Sequence, residues 1–256
     1  MPVADWNPDL YAAFRGLRMR PALDLLAQVP ALPEGEVVDL GCGDGAAAGA
    51  LRQRFPAARM TGVDTSAAML AAAQGYDATT QTDIADWWPE APPALIFSNA
   101  ALHWLTGHDR LLPRLAGMLV PGGVLAVQMP RQFGAPSHAR LREIAAAMFP
   151  DRFDFRDWTP PVAAPDHYWR LLSPLGTTQV WETEYLQHLP PGDAHPVRRF
   201  TKSTAMRPFV ERLSPPETAA FLAAYDEALR ADYPLAQDGA TLFPFRRLFL
   251  VLRRPP

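Results

Sequence analysis

The run Glu36-Val37-Val38-Asp39-Leu40-Gly41-Cys42-Gly43-Asp44-Gly45, with Asp64 closing the next strand, holds the residues whose types and spacing best suit chemistry. An apolar run that ends in an acid and then three alternate glycines reads as a buried strand feeding a tight turn into a helix. Such a turn can approach a ligand with bare backbone. The implied chemistry is recognition of a nucleotide-like molecule. Gly41, Gly43 and Ala46 also satisfy the loose dinucleotide fingerprint, in which a helix N-terminus takes a pyrophosphate and an acid about 20 residues on holds a ribose. Asp39 and Asp44 lean elsewhere, because anions beside the loop repel a pyrophosphate and attract a cationic amino-acid head group. A plain strand-turn-helix connection explains one glycine, not three with flanking acids.

Positioning these residues takes a sheet. Apolar runs at 36–40, 59–63, 78–82, 94–99 and 124–129 read as strands, and helical patterns at 46–55, 66–74 and 110–119 alternate with them. That rhythm argues a parallel sheet covered on both faces, with ligands beyond the C-terminal ends of the strands. Acids recur at those ends: Asp39, Asp64 and Asp83 follow the first three strands, and Asn99 takes the corresponding place after the fourth. Before the sheet, Trp6, Leu10, Tyr11 and Phe14 have helix-compatible spacing, and residues 21–29 continue as a helix with Pro21 suited to its first turn. The second half changes character. Helices are expected over 137–149 and 165–172, and two long β-rich segments, 178–189 and 242–252, bracket a mostly helical insert at 191–232. Two late strands after five parallel ones fit a closing antiparallel pair.

The bulk properties narrow the classes. At 256 residues the chain suits one large α/β domain, alone or with a small cap, and 48% hydrophobic residues indicate a globular protein. A net charge of −3 without a long basic run disfavours nucleic acid, and no Cys/His spacing suggests zinc, so no metal is expected. The single cysteine, Cys42, cannot form an internal disulfide, no signal peptide opens the chain, and no apolar run approaches the roughly 20 residues that span a bilayer. A cytoplasmic protein without a membrane partner is expected. The oligomeric state is left open, with a monomer favoured.

The pattern Asp39-x-Gly41-x-Gly43-x-Gly45 resembles the first motif of Rossmann-like S-adenosylmethionine-dependent methyltransferases. A closer resemblance runs through Trp6-Asn7-Pro8-Asp9-Leu10-Tyr11, Arg18-Met19-Arg20-Pro21-Ala22 and Asn99-Ala100-Ala101-Leu102-His103-Trp104-Leu105. It continues through Gln128-Met129-Pro130, Pro136-Ser137-His138, Val180-Trp181-Glu182-Thr183, Arg207-Pro208-Phe209 and Leu242-Phe243-Pro244-Phe245-Arg246-Arg247-Leu248-Phe249. Together these resemble the trans-aconitate 2-methyltransferase family. One departure is the segment 73–82, shorter than expected of that family, which unsettles the third strand and the contacts near Asp83.

The resemblance implies an α/β fold: a Rossmann-like seven-stranded methyltransferase sheet, with a parallel core, a late antiparallel strand and a small helical cap. It is one methyltransferase domain over 1–256, with an N-terminal lid at 1–20 and cap insertions at 131–176 and 190–241. The implied cofactor is S-adenosylmethionine, leaving as S-adenosylhomocysteine, and the implied reaction is carboxyl O-methylation of a small polycarboxylate, trans-aconitate or a close relative of it, to the monomethyl ester. For the cofactor the expected residues are Asp39, Gly41, Cys42, Gly43, Asp64, Thr65, Asp83, Ile84, Asn99 and Trp104. Asp64 is assigned to the ribose hydroxyls, Asp83 and Ile84 to the adenine, and Asp39 to the methionine head. Asn99 is placed near the transferred methyl, Trp104 or Trp6 supplies an aromatic wall for the sulfonium, and Trp87 either covers the adenine or caps the core.

A carboxylate with a pKa of about 4 is ionised at neutral pH, so it needs no general base, and no catalytic residue is nominated. The task is to hold one carboxylate in line and neutralise the others, which suits arginine forks and tyrosine hydroxyls. Expected acceptor ligands are Tyr11, Arg18, His138, Tyr185, Arg207 and Arg246. Arg246 and Arg247 fall on opposite faces of the last strand, so at most one of the two points inward, and Arg246 is chosen. Alternatives are a methyltransferase for another small metabolite and a non-catalytic S-adenosylmethionine-binding regulator; an NAD-linked oxidoreductase fits the late β-rich pair poorly.

Overall fold

Short apolar runs separated by amphipathic segments pair here as parallel strands. The computed structural model describes residues 15–202 and 204–256, with side chains described from residue 19; Trp6, Tyr11 and the side chain of Arg18 lie outside the described residues. Helix α1 (Arg15–Ala27) leads into β1 (Val37–Leu40), α2 (Ala48–Arg54), β2 (Met60–Asp64), α3 (Ala67–Ala72), β3 (Ala78–Gln81) and β4 (Leu95–Asn99). A 3-10 turn (Leu102–Trp104), α4 (His108–Met118) and β5 (Val124–Pro130) follow. The second half contains α5 (Pro136–Met148), α6 (Pro165–Leu172), β6 (Thr177–Leu189), α7 (Pro196–Thr201), α8 (Arg207–Val210), α9 (Pro215–Asp232) and β7 (Thr241–Arg253).

The strands form one seven-stranded sheet in the order β3-β2-β1-β4-β5-β7-β6. Strands β1 to β5 pair in parallel, and β7 runs antiparallel to β5, with Gln128 opposite Phe249 and Pro130 opposite Arg247. Leu95, Ile96 and Phe97 of β4, and Val124 to Val127 of β5, are fully buried, as expected of central strands covered on both faces. Each of these side chains larger than alanine stabilises the fold by about 1.5–3 kcal/mol. Strand order turns back between β1 and β4, which makes the C-terminal ends of these two strands the natural crevice for a ligand.

Element boundaries follow local chemistry. Ser66 caps α3, its hydroxyl accepting from the Met69 N–H at 3.2 Å. Proline was expected at a helix start with Pro21, but α1 already includes Arg15 and holds Pro21 in its interior. The cap signal misled there because an interior proline removes one bond yet does not end a helix whose apolar face, Ala22, Leu25 and Leu26, is buried.

The chain divides into two compact units. The first comprises the described residues up to Pro130 with Pro161–Thr183 and Arg247–Pro256; the second comprises Arg131–Pro160 and Glu184–Arg246. In the second, Phe209 stacks on Phe153 at 5.7 Å and on Phe221 at 5.9 Å. There too the Tyr225 hydroxyl donates to the Ser137 carbonyl at 2.6 Å, and the Ser137 N–H donates to the Tyr233 hydroxyl at 3.1 Å. Among the described residues no helix is long and apolar enough to cross a membrane.

Candidate active site

The glycine turn after β1 is tied down by backbone and carboxylate bonds. The Gly41 and Cys42 N–H groups both donate to the Val63 carbonyl, at 2.7 and 2.9 Å. Gly41 has φ +81°, and a Cβ there would lie 2.2 Å from the Ala101 Cβ, so only glycine lets the two loops meet. A Cβ at Gly43 would meet nothing within 4 Å, which leaves its backbone open on that side. Ala101 belongs to the turn after β4, where Ala100 adopts φ +55°, a costly conformation for an alanine that is held by its N–H donating to the Gln128 carbonyl at 2.9 Å.

Asp64 was expected to serve a ribose. Its two oxygens take the Gly43 and Ser66 N–H groups, each at 2.9 Å, so it fastens the glycine turn to the start of α3. A carboxylate has about four lone-pair sites, so acceptor capacity remains for two hydroxyls. Asp39 is 2% exposed and accepts a 2.6 Å hydrogen bond from the Tyr76 hydroxyl. Burial pushes its pKa up to about 7, the Tyr76 bond pulls it down, and the charge of Asp64 adds to the rise. Burial, then the same two carboxylates, push the Cys42 thiol upward, so Cys42 stays a neutral wall residue and not a nucleophile.

Tyr76 was missed from the sequence. It sits in the short segment between α3 and β3, and a Cβ on Gly62 would lie 2.9 Å from its ring, so the ring rests on bare backbone.

The remaining cofactor candidates are mixed. Asp83 is exposed and accepts from the Ala85 N–H at 2.8 Å. Ile84 is half-buried, its carbonyl taking the Arg114 guanidinium at 2.8 Å, and its side chain reaches toward Gly41. Thr65 is exposed, its carbonyl accepting from Gln81 at 3.2 Å. Trp104 is exposed and stands beside the His103 ring at 4.7 Å. Trp87 is buried. Asn99 ends β4 beside Gln128, and its Oδ1 is buried with no hydrogen-bond partner among the described residues.

Of the acceptor candidates, Tyr185 is buried and His138 is half-buried. The His138 Nδ1 lies 3.0 Å from the Ser137 hydroxyl, between Phe133 and Phe245; burial, with Arg142 adding, lowers its pKa to about 3, so the imidazole is neutral. Arg207 pairs with Glu211 one turn on, at 3.2 Å. The choice within the last strand is corrected: Arg246 is the exposed member, 3.6 Å from Glu184, while Arg247 is 3% exposed. Alternation was read correctly but its phase was not, because Leu248 and the residues after it are buried on both faces and leave no outward side to count from.

These residues arrange a glycine turn, a buried acid and an amide oxygen unpartnered among the described residues around the β1/β4 crevice, an acceptor set for a molecule that carries hydroxyls and a cation. A family model described as a methyltransferase domain matches residues 37–123. The chain is 43% identical to a trans-aconitate 2-methyltransferase of Paracidovorax citrulli, over 98% of each chain. It is 41% identical to one of Shigella flexneri, over 98% of this chain and 99% of that one. Among solved structures, a Haemonchus contortus phosphoethanolamine N-methyltransferase in complex with S-adenosyl-L-methionine shares the fold. It has a TM-score of 0.54 and 16% identity, and the match covers 93% of this chain and 53% of that one.

Proposed function

We propose, for a chain that belongs to the trans-aconitate 2-methyltransferase family, that it is an S-adenosylmethionine-dependent carboxyl O-methyltransferase converting trans-aconitate, or a close polycarboxylate, to its monomethyl ester. The observation that carries this reading is end-to-end identity of 41–43% with enzymes of that name, not a match confined to the cofactor fold. The reading carries with it a cytoplasmic setting and a small-molecule acceptor.

The residues fit the methyl donor. A turn that admits no Cβ at Gly41, an open Gly43 backbone, and Asn99 Oδ1 without a partner together form a cradle suited to an amino acid joined to a nucleoside. S-adenosylmethionine, when bound, supplies an electrophilic methyl on a cationic sulfur. Asp64, with lone pairs to spare beside Gly43, is assigned to the ribose hydroxyls, and Asp83 with Ile84 to the base. Asp39, held by Tyr76 in a buried position, compensates positive charge at the amino-acid end. The acceptor carboxylate is ionised at neutral pH and needs no proton removed, so the chain's task is orientation and exclusion of water. His138 suits no acid-base duty, since its imidazole is held neutral. Tyr185 and Arg207 remain proposals for acceptor contact, each to be tested singly.

The test is a labelled-methyl transfer assay against a panel of di- and tricarboxylates, with product identification. Label appearing in a base-labile ester of trans-aconitate is the expected result. A protein that binds S-adenosylhomocysteine but esterifies no polycarboxylate would overturn the assignment.

A further inference from the structure

We propose that Gln128 and Arg247, on the C-terminal end of the sheet in the first unit, form a subsite that holds a carboxylate of the acceptor. The inference rests on the polycarboxylate reading above.

Gln128 is 0% exposed, and neither its Nε2 nor its Oε1 has a hydrogen-bond partner among the described residues. Leaving such an amide unsatisfied costs stability, and a leucine of similar volume would avoid that cost in an otherwise apolar strand. A side chain that is expensive for the fold, at the ligand end of a central strand, points to a ligand that satisfies it.

The register says what shares that face. Asn99 is the cross-strand partner of Gln128 on one side and Phe249 on the other, and partners in a ladder project to the same face. Arg247 is the partner of Pro130, two residues beyond Gln128, and so lies on the same face, diagonal to Gln128 at roughly 7–8 Å between Cβ atoms. That interval is within reach of long side chains, although Gln128 and Arg247 do not bond to each other directly, which leaves room for a group held between them. Trp181 stacks on Phe249 at 4.9 Å and 8°, an apolar wall beside the pair. The amide N–H and the guanidinium both donate, and Arg247 is buried, so the group they suit is anionic, planar and rich in acceptor atoms. A carboxylate meets all three conditions.

Carboxylates come from two sources in the reaction as read, the polycarboxylate acceptor and the amino-acid end of the methyl donor. Strand order favours the acceptor. From β1, which carries the glycine turn, to β7, which carries Arg247, the sheet crosses β4 and β5. Three interstrand steps of about 4.8 Å place Arg247 roughly 14 Å across the sheet from that turn.

The test measures trans-aconitate binding to the protein loaded with S-adenosylhomocysteine, which cannot react, alongside KM and kcat in the methyl-transfer assay. Gln128→Leu should weaken acceptor binding about tenfold or more and raise KM, while melting at the same temperature as the native chain or higher. Arg247→Gln should weaken it about thirtyfold or more, and Arg247→Lys should restore part of the loss. In each variant the affinity for S-adenosylhomocysteine alone should stay within about threefold of native. Native chain that binds and esterifies trans-aconitate, with both variants unchanged in acceptor affinity, overturns the subsite. Weakened S-adenosylhomocysteine binding instead assigns the pair to the donor's carboxylate and also overturns it. Native chain that neither binds nor esterifies any polycarboxylate rejects the underlying functional reading. If Arg247→Gln fails to fold, Gln128→Leu decides alone, because a glutamine retained for packing would lose stability on substitution and leave acceptor affinity intact.

Discussion

Lowering the pH from 8 to 6 should weaken S-adenosylhomocysteine binding about tenfold, through one buried carboxyl group. Asp39 is buried beneath Tyr76 with its pKa pushed up to about 7, chiefly by burial. The ammonium of an amino-acid ligand is attracted only to the ionised form. About half of the free protein carries that form at pH 7 and about a tenth at pH 6, so affinity falls about fivefold over that unit and approaches tenfold per pH unit, about 1.4 kcal/mol each, further below the midpoint. Stability moves the other way. The folded pKa lies above the unfolded value of 3.8, so between pH about 4 and 7 the folded chain holds a proton that the unfolded chain has released. Stability in the absence of ligand is therefore greatest below that window and declines as pH rises through it, by up to roughly 4 kcal/mol. Calorimetry in buffers of different ionisation enthalpy should show about half a proton released per ligand at pH 7, rising toward one at pH 6. Asp39→Asn should bind more weakly and without this pH slope. Affinity that is flat from pH 5.5 to 8 in the native chain, or an unchanged slope in Asp39→Asn, refutes the reasoning.

Three further outcomes follow from the same site. Tyr76→Phe removes the bond that pulls the Asp39 pKa down, so the midpoint of the pH profile should move upward; a midpoint that stays in place would show that the hydroxyl does not act on the carboxyl. Gly41→Ala should destabilise the fold by about 1–3 kcal/mol or more in denaturant titration and abolish cofactor binding, since a positive φ and a 2.2 Å approach to Ala101 both oppose a side chain. Cys42 should react with a thiol reagent at pH 8 on the order of a hundredfold more slowly in the folded chain than after unfolding, because burial and two carboxylates disfavour its thiolate; equal rates would place the thiol in solvent.

The sheet and the donor turn were legible because their signals are local. Apolar runs of strand length, glycines at alternate positions and acids at strand ends each follow from one segment's own chemistry, and the observed strands match the expected runs to within a residue or two at most boundaries. What was not legible depended on partners distant in sequence. The bond from Tyr76 to Asp39 spans 37 residues, and no spacing rule connects a loop tyrosine to a strand-end acid. Asp64 was readable as an acid at a strand end, but its bond to Gly43 appears only once β1 and β2 lie side by side. The Arg246/Arg247 pair shows the same failure from another side. Period-2 alternation fixes that the two diverge, while the inward phase depends on what covers each face, and that information sits in other segments.

Gln128 bears on why the phase error matters chemically. A methyl transfer to a carboxylate asks for no acid, base or metal, so the chain can act on it only by fixing where the oxygen sits and by offsetting the remaining negative charge. An exposed arginine such as Arg246, shared with Glu184, is screened by water and offers little of either. A buried guanidinium on the same sheet face as an amide unsatisfied among the described residues offers both, because donors in a water-poor environment bind an anion strongly and at a defined distance. The cost of keeping Gln128 unsatisfied in the free protein is then the counterpart of that selectivity: an acceptor without a carboxylate at this position would leave the amide unpaired and be discriminated against by about 1–3 kcal/mol per group. Dicarboxylates lacking that group should accordingly lose more affinity in the native chain than in Gln128→Leu, and equal losses in the two proteins would remove Gln128 from acceptor selection.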